Sequence, residues 1–151
     1  MPIESRLTDG IIYTELSGAI TFDVVVDYID FIYSLKDDID CRYELHDHTK
    51  TARLNLTIDD IRNIVTYAGK TSDIFRHSFL AVYATNDLTF GVARMFEAFY
   101  EMAKRRIHAE IFRSREAAIQ YLTAKKSEYG LNESCATAGE IRLVSCGAAA
   151  R

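Results

Sequence analysis

A chain of 151 residues with a net charge of −4 and 48% hydrophobic residues is long enough for one domain with an ordinary core. No apolar run approaches the ~20 residues of a membrane span, and residues 1–6 lack the apolar segment of a signal peptide. We therefore expect a cytoplasmic protein that does not cross a membrane. The three cysteines, Cys41, Cys135 and Cys146, form no C-x-x-C pair, which argues against a disulfide scaffold or a zinc ribbon.

The chain between residues 11 and 33 predicts a strand followed by a helix. Residues 11–16 form a short strand-like run that is expected to end at Ser17 and Gly18. Thr21 then precedes apolar residues at helical spacing, and a threonine at this point is a suitable N-cap.

A second strand and helix are predicted next. Residues 42–47 have strand character, the polar run 48–51 indicates a turn, and residues 52–56 are expected to extend the strand or to form a short edge. Thr57 stands before a helix with acidic residues in its first turn and apolar residues on one face. Gly69 is the expected end of this helix.

Residues 79–122 show the same alternation most clearly. Residues 79–84 predict a buried strand, the apolar residues take helical spacing from Leu88, and residues 107–112 alternate again before Ser114 begins a last helix. Four strand–helix units with short connections predict an α/β fold with a mostly parallel sheet and right-handed crossovers.

One domain is expected over residues 1–127. The periodic pattern fades after Leu122, Gly130 is a suitable helix terminator, and no Gly/Ser-rich linker marks a second domain. We expect residues 128–151 to form a mobile C-terminal tail, since the last residues of a domain are usually poorly tied down.

Two blocks of sequence carry a resemblance to a known family. Residues 88–97, which follow an apolar strand and a polar N-cap, contain a distinctive Gly-x-Ala-Arg-Met-Phe block, and residues 111–122 complete the pattern. Residues 43–47 and 56–61 resemble a central strand and a second helix. Over about residues 8–124 the chain resembles the SpoIIAA-like branch of the STAS superfamily.

This resemblance implies a small, mostly parallel sheet of four to five strands with helices packed mainly on one face. It also implies a non-enzymatic module for regulatory protein interaction or for binding a small apolar ligand. The anti-sigma-factor antagonists of this superfamily are switched by phosphorylation of a serine at the start of the second helix, in an Asp-Ser-Ser-Gly-like loop. That loop signature is absent here, and Thr57 stands at the matching place. Thr57 is therefore a candidate phospho-acceptor, while its role as an N-cap accounts for the residue fully and is the favoured interpretation.

A ligand site is predicted at the carboxyl ends of the strands, around the start of the third predicted helix. Glycine costs roughly 1 kcal/mol relative to alanine inside a helix, so Gly91 suggests the close approach of a strand or a ligand. Arg94, one turn further, is a candidate partner for an anion. The candidate ligand-binding residues are Thr85, Asn86, Thr89, Phe90, Gly91 and Arg94.

The alternative is a small enzyme or metal protein that uses His46, His48 and nearby acids. Residues at i and i+2 of a strand point to one side, as a pair of metal ligands requires. No third ligand stands at a readable spacing, and the chain has no nucleophile motif, dinucleotide fingerprint or P-loop. We therefore expect no catalytic residue, no bound metal and no cofactor.

The charge distribution and one apolar band suggest a protein partner. Residues 1–60 carry 13 acids and 5 bases, a net of −8, and residues 61–151 carry 9 acids and 13 bases, a net of +4. The net charge gives no general attraction to nucleic acid, and no aromatic residues alternate with the basic cluster around Arg105. An apolar-rich band between Met95 and Met102 exceeds what one sheet face needs. We predict another protein or a second copy of the chain as the partner, with a homodimer as the minimal form.

Overall fold

Alternating apolar residues form the strands and amphipathic stretches form the helices in the computed structural model, which describes residues 2–104 and 106–130. The five strands are β1 Ile3–Thr8, β2 Ile11–Thr21, β3 Arg42–Asn55, β4 Ser78–Tyr83 and β5 Ile107–Phe112. The four helices are α1 Phe22–Ser34, α2 Ile58–Ser72, α3 Asp87–Met102 and α4 Arg115–Tyr129. None of these helices has the length and apolar content needed to cross a lipid bilayer.

The strands lie in the sheet in chain order, β1-β2-β3-β4-β5. The pairs β2–β3, β3–β4 and β4–β5 are parallel, which confirms the predicted α/β fold with a mostly parallel sheet. The antiparallel β1–β2 hairpin was not predicted. Its turn is made by Asp9 and Gly10, whose φ angles of 51° and 76° are both positive. Asp-Gly between alternating residues is a strong hairpin signal, so the sequence did contain the information.

Two predicted interruptions of the sheet are wrong. β2 continues through Ser17 and Gly18, and β3 continues through residues 48–51. The two long strands pair with each other in this region, with register shifts between Glu15 and Ser17 and between Gly18 and Ala19. These irregularities accommodate the polar and glycine residues without ending the ladder.

The predicted end of α2 at Gly69 is also wrong. The helix continues to Ser72, and Ala68, Gly69 and Ser72 are all buried. Burial of this face stabilises the last turn by more than the roughly 1 kcal/mol that a helical glycine costs. The predicted N-caps are confirmed for α1 and α4, whose caps Thr21 and Ser114 accept hydrogen bonds from backbone N–H groups.

The helices form two unequal layers on the sheet. α1, α2 and α3 pack on one face, where Ile29, Ile64 and Leu80 share a core cluster. Among the described helices, α4 is the one that covers the opposite face, where Leu122 and Leu45 share a core cluster. α4 ends at Tyr129 with Gly130 as its C-cap, as the sequence predicted. The predicted mobile tail falls mainly on residues 131–151, which lie outside the described residues.

Candidate functional site

An ion pair lies under the three-helix face of the sheet. Arg42 and Glu44 stand at i and i+2 of β3, so both side chains point to the side covered by α1–α3. Their side chains are 4% and 0% exposed, and Arg42 Nε lies 2.5 Å from Glu44 Oε2. Charged groups are rarely buried so completely unless they are paired, and this pair meets that condition.

A chain of hydrogen bonds connects this ion pair to β1, β2 and α1. The Tyr28 hydroxyl of α1 donates to Glu44 Oε1. Thr14 Oγ1 lies 2.7 Å from the Tyr28 hydroxyl and 2.9 Å from Ser5 Oγ. His46 Nε2, two residues further along β3, also contacts Glu44 Oε1. We call the six residues Ser5, Thr14, Tyr28, Arg42, Glu44 and His46 the buried polar network.

The electrostatics of the buried polar network keep both Glu44 and Arg42 ionised. Burial by itself would raise the pKa of Glu44, but the Arg42 charge and hydrogen bonds from His46 and Tyr28 hold that pKa well below its usual range. Burial by itself would lower the pKa of Arg42, but the Glu44 carboxylate raises it above its usual value. Burial and the adjacent Glu44 charge raise the pKa of Tyr28 well above normal, so its phenol remains a donor.

A cavity of about 100 Å³ lies beside the buried polar network, between the sheet and α1–α3. Its wall is mainly apolar, with Leu80 and Val82 from β4 and Val92, Ala93 and Phe96 from α3 among the lining residues. The wall also includes residues of β1, β2, β5, α1 and α2. The cavity is therefore formed where all three helices of this face meet the sheet.

Polar side chains reach the cavity from β3 and α3. Arg42, His46 and His48 line it from β3, and Thr89 and Tyr100 line it from α3. Burial and the nearby His46 lower the pKa of His48 to about 3, so its imidazole is neutral near pH 7. Burial raises the pKa of Tyr100 to about 12. At neutral pH the cavity therefore presents the Arg42 guanidinium, the neutral His48 imidazole and the neutral Tyr100 phenol.

Of the six residues predicted to bind a ligand, Thr89 lines the cavity and is 5% exposed. Phe90 is half-buried, and Arg113 lies over its ring, 4.2 Å from the centroid. Asn86 is the N-cap of α3, and its Oδ1 accepts from the Leu88 N–H at 2.8 Å. Thr85 and Arg94 are exposed, and Arg94 is paired with Glu97.

Gly91 lies on the exposed side of α3. A Cβ atom added there would meet nothing within 4 Å, so the predicted close approach of a strand is wrong for the described residues. Contact between Gly91 and a ligand stays a prediction.

Thr57 is the N-cap of α2 and part of a capping box. Its Oγ1 accepts from the Asp60 N–H at 3.1 Å, and its own N–H donates to Asp60 Oδ2 at 2.8 Å. The residue is exposed. This geometry confirms the capping role, while phosphorylation of Thr57 stays a prediction.

His46 and His48 do lie on the same side of β3, with ring centroids 6.2 Å apart. Glu44 follows the same alternation, but its carboxylate is held by Arg42 and Tyr28. Within residues 2–104 and 106–130 no group of three histidine, cysteine or acidic side chains is arranged to hold a metal ion. His48 Nδ1 instead lies 3.1 Å from Thr51 Oγ1.

Several residues of this site are not singled out by the sequence, among them Ser5, Thr14 and Tyr28. Tyr100 stands out only as part of an apolar band. Arg42 and Glu44 were read as the polar residues of a moderate strand. The available signal was the alternation of polar residues at 42, 44, 46 and 48 in a strand predicted to be central, where one side must be covered.

The apolar band between Met95 and Met102 is largely used within the domain. Phe96 and Tyr100 line the cavity, and Met95 and Phe99 are half-buried. Met102 is 75% exposed. The apparent excess of apolar residues in this band is therefore explained mostly by the cavity wall.

Comparisons with known proteins identify the fold. No family model matches the chain, and no curated protein matches it. A solved structure that does match is that of an uncharacterized protein of the DUF3478 family from Shewanella loihica PV-4, described as having a SpoIIAA-like fold. It is 16% identical, the match covers 80% of this chain and 91% of that one, and the TM-score is 0.52. The chain therefore has a SpoIIAA-like fold, as its resemblance to that branch of the STAS superfamily predicted.

Proposed function

We propose that this protein is a non-enzymatic module that binds a small, mainly apolar ligand in the cavity between the sheet and α1–α3. The observation that carries the proposal is the cavity itself. Interiors pack to about 0.75 of their volume and contain few voids larger than a water molecule, so a cavity of about 100 Å³ with an apolar wall is a candidate binding site. A cavity on the order of 150 Å³ lined by apolar side chains is known to take benzene, so this one suits a ligand of similar size.

The arrangement of the charged residues supports a binding role over catalysis. The Glu44 carboxylate is engaged by Arg42, Tyr28 and His46 at once. A general acid or base needs a proton that it can exchange with substrate, whereas this carboxylate is committed to contacts within the fold.

Benzene is a suitable probe because it requires no polar contact. We expect it to shift the methyl NMR signals of residues that line the cavity, such as Leu80 and Val82. Ala93→Leu places three additional carbon atoms at the cavity wall and should abolish these shifts. Ala98→Leu, on the exposed side of the same helix, is the matched control and should leave them unchanged. Absence of any shift in the unmodified protein, or binding that survives Ala93→Leu, would contradict the proposal.

A regulatory protein-interaction role is a second proposal. It is supported by exposed apolar residues at the N-terminal ends of two helices on the same face of the sheet. Ile58 in α2 is 53% exposed and Leu88 in α3 is 71% exposed. Such residues contribute to interfaces when a partner covers them.

A further inference from the structure

Two hydrogen-bond donors face the cavity from opposite walls. Tyr100 lines it from α3 and is 6% exposed, and no described residue forms a hydrogen bond with its hydroxyl. The Tyr100 hydroxyl oxygen is not completely shielded, so it borders accessible space. The Tyr100 hydroxyl is therefore available to donate a hydrogen bond to an acceptor in the cavity.

Arg42 supplies the second donor. Its contact with Glu44 is made through Nε, and a guanidinium carries four more N–H donors on its two terminal nitrogens. Arg42 and Tyr100 line the same cavity of about 100 Å³, so one small molecule inside it can contact both side chains. The effect of the Arg42 charge on the pKa of the Tyr100 phenol agrees with this placement.

The balance of charge decides what kind of acceptor fits. Arg42 is already neutralised by Glu44 in a buried pair. A ligand carboxylate would therefore add an unbalanced negative charge to the interior, which is far more costly than adding a neutral acceptor. His48 offers no compensation, since its imidazole resists protonation. His46, the other imidazole in the cavity wall, already contacts the Glu44 carboxylate.

We propose that the cavity selects an apolar ligand carrying one neutral hydrogen-bond acceptor, such as a carbonyl, ether or aromatic ring nitrogen, which meets Tyr100 and Arg42. This inference rests on the proposed function and deepens it. The apolar wall holds the body of the ligand, and the two donors fix its orientation.

Pyridine and benzene test the proposal because they have the same shape and differ by one acceptor. Binding is followed by methyl NMR titration at about pH 8, where pyridine is neutral. Tyr100→Phe removes the donor and keeps the ring, and it should weaken pyridine binding about 3- to 10-fold, the usual worth of one neutral hydrogen bond. Benzene binding should change less than about 2-fold, which shows that Tyr100→Phe has preserved the cavity.

The outcomes separate the two proposals. If Tyr100→Phe weakens both probes equally, or leaves pyridine binding unchanged, the neutral-acceptor inference is wrong while the ligand-binding function stands. If benzoate binds the unmodified protein more tightly than pyridine does, the site prefers an anionic ligand and the inference is again wrong. If neither benzene nor pyridine binds, both proposals are overturned. Arg42 is left unchanged throughout, because its removal would leave the buried Glu44 charge without its cation.

Discussion

Replacing Glu44 with glutamine tests the buried polar network directly. Glutamine has nearly the same shape and keeps an acceptor for Tyr28, but it leaves the Arg42 charge without an anion in a site where the two side chains are 4% and 0% exposed. Removing one partner of a buried ion pair typically costs about 3–5 kcal/mol. Since domains are stable by only about 5–15 kcal/mol, Glu44→Gln should bring this one close to its stability limit.

Urea unfolding followed by circular dichroism measures this loss of free energy. We also expect a fall in melting temperature of about 10 °C, since each kcal/mol shifts a domain of this size by about 2–4 °C. The double variant Arg42→Met with Glu44→Gln removes both charges and should be more stable than Glu44→Gln alone. A loss below about 1 kcal/mol for Glu44→Gln, or a double variant no more stable than the single one, would refute the reasoning.

Three further predictions concern other parts of the molecule. Thr57→Ala should lower the free energy of unfolding by about 1 kcal/mol, measured by thermal unfolding, while Thr57→Asp, which keeps a capping oxygen, should be nearly neutral. If Thr57→Asp changed partner binding or oligomeric state without changing stability, Thr57 would be a switch. The folded state keeps the pKa of His48 near 3, against 6.5 ordinarily, so stability should decrease as the pH falls below about 6.5, by up to about 1.4 kcal/mol per pH unit. His48→Gln should reduce this slope in urea unfolding at each pH, and an unchanged slope would show that other groups cause it. The predicted homodimer should persist in sedimentation experiments when salt is raised to about 0.5 M, because screening weakens exposed charge pairs and spares apolar contacts. A monomer at every salt concentration would contradict the prediction.

Local patterns were enough to predict most of the fold. The apolar run at 79–84 and the helical spacing after Leu88 each depend on a few neighbouring residues, so their signals are complete within a short window. The same is true of the capping box at Thr57. The β1–β2 hairpin was not predicted although Asp9 and Gly10 are a turn signal, because residues 1–6 were considered only for the apolar segment of a signal peptide.

The site depends on residues that are far apart in the chain. Nothing near Glu44 in the sequence indicates that Tyr28 will donate to its carboxylate or that Thr14 will continue the chain of hydrogen bonds. Those contacts exist because α1 crosses from β2 to β3 and lies over both strands. The turn predicted at residues 48–51 is wrong for a related reason. These residues favour a turn when considered in isolation, but pairing with β2 keeps them extended.

The strict agreement between strand order and chain order has a consequence for synthesis on the ribosome. Each parallel strand pairs with the strand made just before it, so β2, β3, β4 and β5 add to one growing edge as the chain emerges. Within residues 2–104 and 106–130, no strand has to be inserted between two that are already paired. On the opposite face, Leu45 and Ala81 stay uncovered until α4, the last described helix, has been synthesised. A nascent chain would therefore present an uncovered apolar surface until residue 122 has left the tunnel, and this is the interval in which chaperones would be expected to act.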